Sequence, residues 1–155
     1  MIHEMHIRFI HCFRKILKNR SLYHVRLFDI KRRLVEPDDV ILLRCEQIWD
    51  DEGDRLQTVP IIVKSIHIYS DLRELFENIT PRECGFPMTT SVKEAVSLTE
   101  DYYRCGDDRL NNLRAVAFKI HVIEKFNQNT IDFFEQQLSE GRRKGNLRNS
   151  IIDFR

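Results

Sequence analysis

The chain has 155 residues and a mass of 18.6 kDa, with 25 Lys and Arg against 24 Asp and Glu. A hydrophobic share of 42% excludes a disordered chain, 5 Gly and 4 Pro exclude collagen, and no apolar run reaches the roughly eighteen residues of a membrane span. The opening MIHEMHIRFIHCFRKILKNR is too broken by charge for a signal peptide, so the expectation is a cytoplasmic protein with no membrane partner.

Met5–Phe9 reads as a short strand. Phe9–Arg20 carries Ile10, Phe13, Ile16 and Leu17 at helical spacing, with Arg14, Lys15 and Lys18 outside that stripe. Tyr23–Asp29 reads as a strand and Ile30–Leu34 as a basic turn or short helix. Glu36-Pro37-Asp38-Asp39 is a turn, and Val40–Cys45 is the strand behind it. Asp50–Asp54 reads as a polar hairpin tip, followed by a long strand over Gln57–Tyr69. Pro60 weakens the start of that strand or places it on an edge.

Asp71-x-x-Glu74 resembles a capping box, and Leu72, Leu75, Phe76 and Ile79 predict a short helix behind it. Thr80–Met88 reads as a loop. Ser91-x-x-Glu94 opens a helix running to about Tyr103. Arg114–Ile123 alternates as a strand with one apolar face. Thr130–Gly141 reads as an extra amphipathic helix, with Gly141 as its cap and a basic tail beyond.

Few long crossovers and many short elements predict an α+β protein: a small mixed sheet curled into a β-barrel, with flanking helices and an extra C-terminal helix. The expected division is a barrel domain over residues 1–125 and an extension over 126–155.

Cysteines at 12, 45, 84 and 105 form no CxxC pair and read as free thiols. His3-Glu4-Met5-His6 lacks the spacing that puts two histidines on one helix turn, so no metal or cofactor is expected. Residues 1–36 carry nine Lys and Arg against three Asp and Glu, and residues 37–58 carry two against seven. The basic first part suits an anionic partner such as nucleic-acid phosphate, but on charge alone a solvated helix face paired with the acidic loop behind it is the favoured reading.

In order, these segments resemble the ASC-1 homology (ASCH) family, a PUA-like β-barrel. Ser21-Leu22-Tyr23-His24-Val25-Arg26-Leu27 stands where the family has K-T-x-E-x-R-L, and Phe28–Arg33 resembles its xDxKRR segment. Pro37–Ile41 is similar to its xGDxI turn, with Asp38 in the place of glycine. Ile66–Phe76 and Arg114–Ile123 resemble its I-x-x-Y…F-x-E-L passage and its closing strand. The resemblance spans about residues 3–123 and rests on order and spacing.

What it implies is a barrel with a cleft that binds RNA, a nucleotide or a nucleoside. One branch hydrolyses the amide of 4-acetylcytidine, and other members have been proposed to cleave RNA. That branch uses a lysine, a polar residue three positions on, and a later glutamate. Here Ser21 replaces the lysine, His24 stands three on, and Glu83 is the nearest glutamate.

Serine does not take over the lysine's role as base at neutral pH, and i and i+3 on one strand point to opposite faces. The leading expectation is therefore binding without the lysine-dependent chemistry. Arg26 and His24 would open into the cleft, with Lys18, Arg20, Lys31, Arg32 and Arg33 as its cationic rim and Tyr23 as a stacking ring. The alternative is an amidohydrolase of an acylated pyrimidine nucleoside or a ribonuclease, with Ser21, His24 and Glu83 as the catalytic set. A third reading is a protein-interaction domain, self-associating into a homo-oligomer through the helix at 130–141.

Overall fold

In the computed structural model, the residues described are 1–7, 10–45, 57–103 and 113–153. The expected hairpin tip, Trp49 and Cys105 lie outside them, as do the side chains of Tyr102 and Tyr103. Among these described residues, eleven elements follow one another as β1 (Ile2–Ile7), α1 (Ile10–Asn19), β2 (Ser21–Leu27), α2 (Ile30–Arg33), β3 (Val40–Cys45), β4 (Gln57–Tyr69), α3 (Leu72–Asn78), a 3-10 turn (Pro81–Cys84), α4 (Val92–Tyr103), β5 (Ala115–Val122) and α5 (Gln128–Asp153). The fold is α+β.

The five strands form one mixed sheet in the order β1-β3-β4-β5-β2. β1 and β3 are parallel, and the other neighbours are antiparallel. Among the described residues no ladder joins β1 to β2, so these two strands are the sheet edges. α1 connects them and packs on both, with Phe13 and Ile16 fully buried.

β4 is the longest strand and is shared along its length. Its first half pairs with β3 and its second half with β5, with a register shift between Val63 and Ser65. Pro60 sits where this hand-over begins. Its carbonyl accepts from the Ile123 N–H at 3.0 Å, on the side of β5. In a strand, N–H and C=O of one residue point the same way, so the missing N–H also falls on the β5 side, beyond the last β4–β5 pair at Ile61 and Val122. Proline therefore costs the β3 ladder nothing, and that part of β4 is an edge on one side.

β1 begins three residues earlier than its apolar pattern suggests. Its Glu4 is tied to α5: Arg44 of β3 donates to Glu4 at 2.7 Å and to Glu135 of α5 at 2.6 Å, and Arg142 of α5 donates to Glu4 at 3.1 Å. Met5 and Ile7 supply the buried side of β1. α5 runs on through Gly141, which lies mid-helix in open space rather than capping it. Leu138 is its buried contact, while Phe133 is exposed.

Helix starts are set by local caps. The Asp71 side chain accepts the Glu74 N–H at 2.8 Å, but the Glu74 carboxylate turns to the N–H and hydroxyl of Ser70, so only half a capping box forms. Ser91 and Glu94 cap α4 through Glu94 N–H to Ser91 Oγ at 3.1 Å and Ser91 Oγ–H to Glu94 at 3.0 Å. Among the described residues no helix is long and apolar enough to cross a membrane.

Candidate functional site

β2 alternates in burial along its length, which places Leu22, His24 and Arg26 on one face and Ser21, Tyr23 and Val25 on the other. The first face looks inward. Gly85, at φ +89° after the 3-10 turn, lies against Leu22 and Cys12, where a Cβ would come within 2.9 Å of Leu22 Cδ2. His24 and Arg26 do share a face, yet they do not open to solvent: they are 6% and 3% exposed. This corrects the expectation of an open cleft at Arg26.

Arg26 Nε donates to His24 Nε2 at 3.0 Å. Burial, reinforced by the charges of Arg26 and Arg32, drives the His24 pKa well below that of an ordinary histidine. The imidazole is thus a neutral acceptor held between cationic side chains.

Ser21 and His24 stand on opposite faces, so the strand does not bring them together. Glu83 has a local function that its loop placement concealed. It is the third residue of a full capping box, accepting the Thr80 N–H at 2.9 Å and the Thr80 hydroxyl at 3.0 Å. Thr80-x-x-Glu83 is the same pattern as Ser91-x-x-Glu94, so the signal was present in the sequence.

The expected basic rim divides into two groups. Lys18 and Arg20 are exposed at the start of β2, where Val122 N–H donates to the Arg20 carbonyl at 2.9 Å. Lys31, Arg32 and Arg33 form α2, past its far end. Seven residues of strand separate the groups by roughly 20 Å at about 3.3 Å per residue.

At the α2 end the fold adds a cation the sequence reading did not assign. Phe28 N–H donates to the Arg114 carbonyl at 2.7 Å, which ties the start of β5 to the end of β2. Arg114 and Arg33 then both lie over the Phe28 ring, 5.2 and 5.6 Å from its centroid. Asp29 caps α2 by accepting the Arg32 N–H at 3.0 Å, and it also takes Arg32 Nη1 at 3.0 Å. Arg32 Nε is buried and has no hydrogen-bond partner among the described residues. Lys31 and Arg33 point to solvent.

Tyr23 faces outward, with Lys119 Nζ 4.6 Å from its ring centroid. β2, β4 and β5, three neighbouring strands, contain no aspartate or glutamate, while they carry Arg26, Lys64, Lys119, His24, His67 and His121.

Elsewhere, His3 turns to Asp39 at 2.8 Å and His6 lies 3.9 Å from Glu4. Among the described residues no group of three or more His, Cys, Asp or Glu side chains is placed to hold a metal ion. Cys12, Cys45 and Cys84 are buried free thiols; burial pushes Cys12 up to about 12 and raises Cys84 as well. α5, the helix expected to mediate self-association, packs on its own sheet through Leu138 and the Arg44–Glu135 pair.

No protein-family model matches the chain, and no curated protein matches it. Similar solved structures include two hypothetical or structural-genomics proteins. The hypothetical protein PH0355 is 26% identical with a TM-score of 0.59, over 79% of this chain and 100% of that one. Protein PF0455 from Pyrococcus furiosus is also 26% identical, with a TM-score of 0.53, over 80% of this chain and 99% of that one.

Proposed function

We propose that this chain is an ASCH-type module that binds single-stranded RNA or a nucleotide in the cytoplasm, without the lysine-dependent hydrolase chemistry of the hydrolytic branch. The observation that carries the reading is the basic cluster around Phe28. Arg33 and Arg114, far apart in sequence, meet over one aromatic ring beside Lys31 and Arg32. Guanidinium groups so placed can fork onto phosphate oxygens.

Two features support the family reading. Asp38, in the place of the family's glycine, has φ +72°, a conformation that favours glycine. α1 packs on both edge strands of the five-stranded mixed sheet, and β4 carries a register shift between Val63 and Ser65, features that a PUA-like barrel would accommodate. The placement of Ser21 away from His24, and the use of Glu83 in a cap, speak for binding over hydrolysis.

The test is fluorescence anisotropy with a labelled single-stranded RNA across a salt series. Binding should fall with salt, and Arg33→Ala and Arg114→Ala should each weaken it and flatten the logarithmic salt slope by about 1. Salt-independent affinity, or none at low salt, rejects the proposal. Turnover of 4-acetylcytidine that is lost in Glu83→Ala would replace it with the hydrolase reading.

A further inference from the structure

The outward face of the sheet carries a second constellation, away from the Phe28 cluster. β5 lies between β2 and β4, and Lys119 on β5 stands opposite Tyr23 on one side and Ser65 on the other. The register shift at Lys64 brings Ser65 and His67 onto this same face. Ser65 Oγ and His67 Nε2 are 2.9 Å apart, and the His67 ring meets the Tyr23 ring edge-on with centroids 5.5 Å apart. All four side chains are half-buried.

Ala117, opposite both Val25 and His67, is fully buried and precedes Lys119 by one step along this face. An ammonium group has three donors, and the Tyr23 ring engages only one side of it. Lys119 has no carboxylate partner among the described residues, and the three strands beneath it supply no acid. A half-buried cation with this surrounding is short of a counter-charge. The neighbouring groups are a serine hydroxyl, an imidazole and a phenol, all able to donate to oxygen.

We infer that Lys119, Ser65, His67 and Tyr23 form a binding site for the phosphoryl group of a nucleotide unit, whether a free nucleotide or one residue of an RNA chain. Lys119 supplies the charge. Ser65 and Tyr23 supply hydroxyl donors, and the Ser65–His67 hydrogen bond holds that pair in position. The site stands independently of the arginine cluster, because it lies on a different part of the surface and uses none of its residues.

The test is a heteronuclear NMR titration of the full chain, following the His67 and Tyr23 ring signals. The probes are inorganic phosphate, adenosine monophosphate and a short oligouridine. A saturable shift of these rings is expected with at least one phosphate-bearing probe and not with adenosine. It should weaken about tenfold or more in Lys119→Gln and in Ser65→Ala, and recover in Lys119→Arg. Binding of mononucleotide or phosphate identifies a free ligand; binding of oligouridine alone identifies RNA. No saturable shift with any probe overturns the inference, as does binding that persists unchanged in a folded Lys119→Gln protein. The Arg33→Ala, Arg114→Ala double variant should retain the shift with the small probes, which separates this site from the one proposed above.

Discussion

The Nε–H of Arg26 points at Nε2 of His24, 3.0 Å away, and both side chains are closed off from solvent. The guanidinium is always a donor, so Nε2 must be an acceptor and the ring proton must sit on Nδ1. His24 should therefore stay neutral in the folded protein at mildly acidic pH, which nitrogen chemical shifts of a labelled ring would show. Its folded pKa is depressed, through burial first and then the charges of Arg26 and Arg32. The unfolded chain binds a proton below about 6.5 and the folded chain does not. The contribution of His24 is thus fully present above that value and is lost as pH falls toward the folded pKa. The slope is at most about 1.4 kcal/mol per pH unit. Denaturant titrations at pH 7.5 and 5.0 on wild type and His24→Gln should show a smaller pH dependence in the variant.

Gly85→Ala should destabilise the protein by about 2 kcal/mol or more. The residue has φ +89°, and an added Cβ would meet Leu22 Cδ2 at 2.9 Å and the Cys12 backbone at 3.1 Å. Since Leu22 belongs to β2, the push is transmitted to the strand that carries His24 and Arg26. Thermal unfolding would read the loss, and an unchanged midpoint would contradict the packing described for the 3-10 turn.

Asp38 offers the opposite case. It has φ +72°, and its N–H donates to the Val63 carbonyl at 2.8 Å, so the turn is held in a left-handed conformation. Asp38→Gly should leave the unfolding midpoint unchanged or raise it, while Asp38→Val should lower stability by about 1–2 kcal/mol. Equal effects of the two substitutions would show that backbone conformation is not the controlling factor.

Arg44 anchors α5 to the sheet. It donates to Glu4 at 2.7 Å, Glu135 at 2.6 Å and Thr58 at 3.2 Å, and is 8% exposed. Replacing it with methionine leaves Glu135 without its partner and Glu4 with Arg142 alone, and a loss of about 1.5–3 kcal/mol is expected. Glu135→Gln keeps one acceptor oxygen for Arg44 and should cost less. Hydrogen exchange should show faster opening of α5 in Arg44→Met and a smaller change in β2 and β5.

The elements that could be read from the chain were those written in local patterns. The apolar stripe of 10–17, the Ser91–Glu94 box and the alternation of 114–123 all describe interactions within a few residues. Strand order could not be read this way, because β1 pairs with β3 and β2 with β5 across long separations. The common face of His24 and Arg26 followed from strand parity, but their depth depended on α1 and the 3-10 turn covering that face. Arg114, Lys119, Ser65 and His67 were missed as site residues because each is ordinary alone. The shared signal was the absence of acid from three strands, which means something only once those strands are neighbours. Gly141 misled because a glycine at a helix end is common, and α5 simply continues through it.

The edge position of β2 has a consequence for how the molecule is made. Among the described residues Leu22 finds its ladder partner at Ile120, so β2 emerges from the ribosome long before that neighbour exists. Enclosure of His24 and Arg26 within the sheet therefore waits for β5, the strand that joins β2 to β4.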